Sequence, residues 1–199
     1  MSTKPSNQAT YEPLYAIAAE QAGYFTAPQA RAVGFSPRQL HYYAQTGRFI
    51  RLKRGLYRLA LFPASSNEDL FIAWLEVGSR AVISHDTALA LYELSDILPG
   101  EIHLTIPPTV SRRHKGLRLH TARLSPDEVA RYTGLPVTTV SRTIADVATS
   151  GLAEELVVQA IEQAVERGLV AVDDMFDYAN ERGGRAKNLV NQYLEKRRA

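Results

Sequence analysis

Apolar residues recur at helical spacing in three short bursts over the first fifty positions. Between Glu12 and Ala22, Leu14, Ile17, Ala18 and Ala22 fall three to four residues apart with polar neighbours between them, which predicts a helix with one buried stripe, ended by Gly23. A second, shorter helix is predicted over Ala27–Val33. Thr26 precedes it, Pro28 sits in its first turn, where a missing amide proton costs nothing, and Gly34 closes it. Ser36 followed by Pro37 repeats the start signal, and a third helix runs through Thr46 to the stop at Gly47. The period then changes. In FIRLKRGLYRL, Phe49–Leu59, Ile50 and Leu52 alternate with Arg51 and Lys53, the chain turns at Arg54 and Gly55, and it returns through Leu56, Tyr57, Arg58 and Leu59 as a short hairpin.

Around the third helix, at about 100° per residue, Pro37, Leu40, Tyr43 and Ala44 fall on the packing side. Arg38, His41, Tyr42 and Gln45 fall on the opposite side, with Gln39 at its flank. Three helices and a basic hairpin within about fifty residues make the pattern of a winged helix-turn-helix. The remaining pattern is mixed. PASSN, Pro63–Asn67, reads as a linker, with Asn67 capping a helix that buries Leu70, Phe71, Trp74 and Leu75. Strands are predicted at Ala81–Ile83, Glu101–Ile106, Leu117–Leu124 and Gly134–Thr139. Helices are predicted from Ser84 to Leu94, from a Ser125, Pro126, Glu128 start, from Ser141 to Ala148, and over Glu154–Arg167, Asp173–Glu181 and Ala186–Arg198. The expected fold is α+β. A flexible tail (1–10) leads into an N-terminal winged helix-turn-helix domain (11–64), followed by an α+β domain (65–199) with a small sheet and C-terminal helices.

Charge sharpens the reading of the first domain. The chain has 199 residues and a formal net charge of +2, too little for a protein whose whole surface meets a polyanion. The distribution is uneven, because no acidic residue lies between Glu20 and Glu68, whereas Arg31, Arg38, Arg48, Arg51, Lys53, Arg54 and Arg58 do. A small domain that excludes carboxylates and keeps several arginines has the electrostatic signature of a surface that meets phosphates. The chemistry then divides the candidates. Ser36, Arg38, Gln39, His41, Tyr42 and Gln45 belong to the helix that would read base edges, since Arg can bond guanine twice, Gln can bond adenine twice and an aromatic ring can cover a thymine methyl. Arg48, Arg51, Lys53, Arg54 and Arg58 belong to the wing and would position the protein on the backbone.

The sequence offers no assembled catalytic constellation. There is no phosphate-binding glycine loop, nucleophile elbow, dinucleotide fingerprint or paired-histidine zinc motif, and no cysteine to serve as a nucleophile or ligand. His85 followed by Asp86 lacks further ligands at metal-binding spacing, and His103 and His120 read as structural strand residues. Arg142, Thr143 and Asp146 read as a helix-start salt bridge. No enzyme activity, cofactor or metal is therefore expected. The absence of cysteine agrees with a reducing cytoplasm, no apolar run reaches the ~18 residues of a membrane span, and the polar N-terminus is unlike a secretory signal.

The run AEQAGYFTAPQARAVGFSPRQLHYYAQTGRFIRLKRGLYRLALFP, followed by AVISHDTALALYELSD, EIHLTIP and GLPVTTVSRTIADVA, resembles the AbiEi family of antitoxins and transcriptional regulators. The resemblance implies a winged-helix domain that binds inverted repeats in double-stranded DNA of its own promoter and represses the operon. It also implies a C-terminal domain that counters a nucleotidyltransferase-type toxin encoded alongside. On this resemblance, recognition belongs to Ser36–Gln45 and the wing to Arg48–Arg58. Two alternatives remain: a protein-interaction module, and a stand-alone winged-helix repressor without a toxin partner.

Overall fold

The computed structural model describes residues 7–109 and 114–198. The chain divides into two compact units, one made of the chain up to Ser79 together with Thr133–Leu135, the other of Arg80–Tyr132 and Pro136 onward. The first unit contains helix α1 (Asn7–Ala19), strand β1 (Tyr24–Thr26), helices α2 (Ala27–Ala32) and α3 (Pro37–Gln45), strands β2 (Phe49–Lys53) and β3 (Leu56–Leu59), and helix α4 (Glu68–Val77). Helices α2 and α3 start with the same device. Thr26 and Ser36 each accept a bond from the amide three residues on, and the Gln29 and Gln39 side chains each accept the cap residue's own amide at 2.8 Å.

The strands form an antiparallel sheet in the order β1-β3-β2, with Phe25 opposite Tyr57 and Ile50 opposite Arg58. The β2–β3 turn passes through Gly55 at φ +80°, a conformation that favours a residue without a Cβ. Between sheet and helices lies an aromatic core. Phe25 meets Phe49 edge-on at 5.0 Å and stacks on Tyr57 at 5.6 Å, and Leu14, Ala18, Ala30, Phe35, Leu40 and Tyr43 close around them. This core fixes the angle between α3 and the β2–β3 hairpin.

Two expectations need correction here. Helix α1 begins at Asn7, so the residues expected to form a tail are helical from there on; Met1–Ser6 lie outside the described residues. Polarity alone does not exclude a helix, and Gln and Ala are good helix formers. The boundary expected after residue 64 also differs from the observed one at Ser79, because α4 packs with the first unit. Tyr24 stacks on Phe71 at 4.7 Å, its hydroxyl donates to Glu68 at 3.0 Å, and the Ser65 amide donates back to that hydroxyl. Asn67 stands at the N-terminus of α4 without a side-chain capping bond.

The second unit carries strands β4 (Val82–Ile83), β5 (Ile102–Ile106), β6 (Leu117–Thr121), β7 (Val129–Tyr132) and β8 (Leu135–Thr138) in one sheet of order β6-β5-β4-β8-β7. Pairing is antiparallel between β4 and β5, and parallel between β5 and β6 and between β4 and β8. Helices α5 (His85–Leu91), α6 (Val140–Ser150), α7 (Glu154–Glu166), α8 (Val172–Arg182) and α9 (Gly184–Arg198) complete it. The helix expected after Ser125 is a single 3-10 turn, Pro126–Glu128, that leads straight into β7. Its capping box is present, but β-branched Val129 and the turn at Thr133 and Gly134 favour a strand there. Arg112 and Arg113, in the stretch between β5 and β6, lie outside the described residues.

Candidate nucleic-acid interface

Arg38, His41, Tyr42 and Gln45 are exposed on α3, and Leu40 and Tyr43 are buried beneath them. Tyr42 is the most open aromatic residue of the group, 59% exposed, with its edge against Tyr43. The exposed arc is split into two stripes. His41 and Gln45, four residues apart, line a cleft of about 410 Å³ with Pro37, Ala44, Arg51 and Tyr57, whereas Arg38 and Tyr42 do not line it. Ser36 and Gln39 are partly committed to folding: Gln39 Oε1 accepts both the Ser36 amide and the Ser36 hydroxyl, at 2.8 and 2.9 Å. The Gln39 amide nitrogen has no such bond, so this residue retains a donor but not the paired donor and acceptor that adenine recognition uses.

The five wing candidates occupy different situations. Arg51 and Arg54 are exposed and have no ion-pair partner among the described residues. Arg48 is exposed, its guanidinium 5.5 Å from the centre of the Tyr43 ring, which steadies the side chain without neutralising it. Lys53 pairs with Glu76 of α4 at 3.1 Å. Arg58 departs from the expectation of a backbone contact. It is 9% exposed, lies 3.6 Å from Glu68, donates to the Phe62 carbonyl and faces the Tyr24 ring. The physical reason is the strand order. β3 lies in the middle of its sheet and is buried along its whole length, so alternation does not carry Arg58 to a solvated face. The acid-free stretch of sequence is thus not acid-free in space, because α4 brings Glu68 and Glu76 to the hairpin.

The second unit holds two clusters, of which spacing along the chain revealed only the Arg142–Asp146 pair. Parallel pairing of β5 with β6 brings His103 and His120 together, with ring nitrogens 3.4 Å apart, and the His85 ring stacks on His120 with centroids 3.4 Å apart. Burial and the neighbouring imidazoles press His85 down to about 3 and His120 to about 4, and burial also lowers His103. Ser84 Oγ lies 3.0 Å from His85 Nδ1 and accepts from Thr105 at 2.8 Å, which is why Ser84 does not cap α5 with its side chain. Among the described residues, no three His, Cys, Asp or Glu side chains are placed to hold a metal ion. The other cluster centres on Arg142, which is 3% exposed and bonded at 2.9 Å to both Asp146 and Glu128. Burial pushes Glu128 upward, but bonds from the Tyr178 hydroxyl, the Ser125 amide and Arg142 more than offset it and hold it at about 2.

A three-helix core with a helix-turn-helix (α2–α3) and a β2–β3 wing defines the first unit as a winged helix-turn-helix domain. Residues 12–60, within the first unit, match a family model described as "Transcriptional regulator, AbiEi antitoxin"; the second unit lies outside the matched span. No curated protein matches the chain. Among solved structures, the crystal structure of RV2827C protein from Mycobacterium tuberculosis is similar, with a TM-score of 0.53 at 12% identity, covering 97% of this chain and 78% of that one. At that identity the likeness is one of fold. Among the described residues no helix is long and apolar enough to cross a membrane.

Proposed function

We propose that the protein is a cytoplasmic, sequence-specific DNA-binding repressor of its own operon, and that it serves as the antitoxin to a nucleotidyltransferase-type toxin. The observation that carries the DNA half is the exposed face of α3 beside an unpaired cationic hairpin turn. Arg38, Tyr42 and Arg54 stand free in a regulator-family domain, and neither α3 nor the hairpin contains a carboxylate. Hydrogen-bonding side chains on α3 suit a major groove, and the arginines of the wing suit the flanking phosphates. The toxin half rests on the resemblance of the later motifs, AVISHDTALALYELSD and GLPVTTVSRTIADVA, to AbiEi antitoxins.

The test is a gel shift with the DNA upstream of the coding sequence in the presence of excess random duplex. Retention of the shifted band is the expected result, with log K falling against log salt at a slope near −3.6 if about four phosphates are neutralised per protomer. Arg38→Ala is expected to cost about 1–3 kcal/mol of preference for the upstream site. Binding without preference would remove the operator assignment, and no binding would remove the DNA reading. Co-expression with the product of the neighbouring open reading frame tests the antitoxin half, the expected result being growth restored only when both genes are present.

A further inference from the structure

The ridge separating the major from the minor groove of a duplex is a single phosphodiester strand. A protein that puts a helix into one groove and a hairpin against the next must receive that ridge in the concavity between them. In the first unit this concavity is the cleft of about 410 Å³ formed by Pro37, His41, Ala44 and Gln45 of α3 with Arg51 of β2 and Tyr57 of β3. No carboxylate lines it. Resting on the DNA-binding reading above, we propose that the cleft is a seat for one DNA phosphate, with Arg51, Gln45 and His41 as its donors.

The chemistry of the three side chains fits one tetrahedral anion approached from two walls. Arg51 offers a charged, planar pair of N–H groups that can bond two phosphate oxygens at once. From the opposite wall Gln45 offers an amide N–H and His41 offers a ring N–H. All three are exposed, and none spends a side-chain hydrogen bond on another described residue. The helical register separates this stripe from its neighbour. Positions 37, 41, 44 and 45 face the wing, whereas Arg38 and Tyr42 lie one step around the helix. His41 and Gln45 therefore leave the base-reading set, which contracts to Arg38, Tyr42 and the free amide nitrogen of Gln39.

The experiment titrates two labelled duplexes, the upstream DNA and a scrambled version of it, with the full chain by fluorescence anisotropy across salt concentrations. Arg51→Ala is expected to make the salt slope shallower by about 0.9 on both duplexes. Gln45→Ala is expected to cost roughly threefold to tenfold, equally on both. His41→Ala is expected to cost a similar loss, again equally on both. If wild type binds while Arg51→Ala keeps the full slope and Gln45→Ala and His41→Ala bind as wild type does, the seat is wrong and the DNA reading stands. Losses from Gln45→Ala or His41→Ala on the upstream duplex alone would return these residues to base reading and overturn the seat. Failure of wild type to bind either duplex would instead defeat the reading on which the seat rests. Circular dichroism of each variant confirms folding, which these exposed positions do not endanger.

Discussion

In the first unit Arg38, Arg51 and Arg54 stand exposed without an ion-pair partner among the described residues, whereas Arg142 of the second unit is 3% exposed and bonded to two carboxylates at 2.9 Å. The same side chain thus does opposite work. A guanidinium in water keeps its hydration until a polyanion releases it, and its charge remains available to a partner. A guanidinium taken out of water must be matched where it lies, and its charge is spent on holding elements together. In the second unit those elements are the turn before β7, helix α6 and, through Tyr178, helix α8. Arg58 shows that the distinction follows burial and not domain, since it belongs to the first unit yet is held like Arg142.

The sharpest way to break this comparison is to remove a guanidinium of each kind. Arg142→Ala takes from buried Glu128 and Asp146 the guanidinium they share, leaving Asp146 with Arg182 at 3.5 Å and Glu128 with the Tyr178 hydroxyl and the Ser125 amide, and is expected to destabilise the second unit by about 3–5 kcal/mol in urea unfolding. Arg51→Ala is expected to stay within about 0.5 kcal/mol of wild type. An Arg142→Ala protein as stable as wild type would mean that the buried cluster does not bear on the fold.

Arg58 and Arg54 give the next contrast, four residues apart on one hairpin. Arg58→Met removes a bond to the Phe62 carbonyl and the partner of Glu68, and is expected to cost about 1–3 kcal/mol of stability without changing the salt slope of DNA binding. Arg54→Ala is expected to do the reverse, leaving unfolding unchanged and lowering the slope by about 0.9. A shallower slope for Arg58→Met would place this residue back on the backbone.

Acid should separate the units further. His85 titrates at about 3 in the folded protein against an ordinary 6.5, so the unfolded chain takes up the proton first. The stability of the second unit is then complete above about pH 6.5 and falls as pH drops toward 3, by up to about 1.4 kcal/mol per pH unit for this residue. His103 and His120 act in the same direction, with Arg118 opposing a further positive charge. Glu128 adds a second loss between its ordinary value of 4.5 and about 2. Urea midpoints measured from pH 7 to pH 4 are expected to fall, and His120→Gln is expected to flatten the upper part of that fall. A flat wild-type profile would mean that the imidazoles are solvated in both states.

The contrast also explains what could be read from the sequence. Helices α2 and α3 were legible because Thr26, Pro28, Ser36 and Pro37 are local start signals, and the hairpin because its alternation and its Gly55 turn are local too. Strand β1 was not legible, since three residues are too few to establish a period. Arg38, Tyr42 and Arg54 were placed on the exposed face because helix angle and turn position determine exposure there. Arg58 was misplaced because the third strand that buries it comes from β1, and Lys53 lost its freedom to Glu76, 23 residues away. The division of α3 into a cleft stripe and an outer stripe depends on where the wing sits against the helix. The cluster of His85, His103 and His120 depends on parallel pairing between strands whose separation in sequence carries no signal.

The smallest expected effect tests whether the comparison is one of kind or of degree, because the Lys53–Glu76 pair lies between the extremes. Its side chains are 51% and 37% exposed, so the attraction across 3.1 Å is weakened by water and contributes well under about 1 kcal/mol to folding. Glu76 nevertheless competes with phosphate for the lysine and places a negative charge in the same cavity as Arg54. Glu76→Gln is expected to leave urea unfolding within about 0.5 kcal/mol of wild type, to tighten binding a few-fold at low salt and to steepen the salt slope by up to about 0.9 as Lys53 joins the available cations. Lys53→Ala should then cost more DNA affinity in the Glu76→Gln background than in wild type, a coupling that a double-mutant cycle reads directly. If Lys53→Ala costs the same in both backgrounds, the exposed pair does not restrain the lysine, and only burial, not pairing, decides which cations of the hairpin remain free.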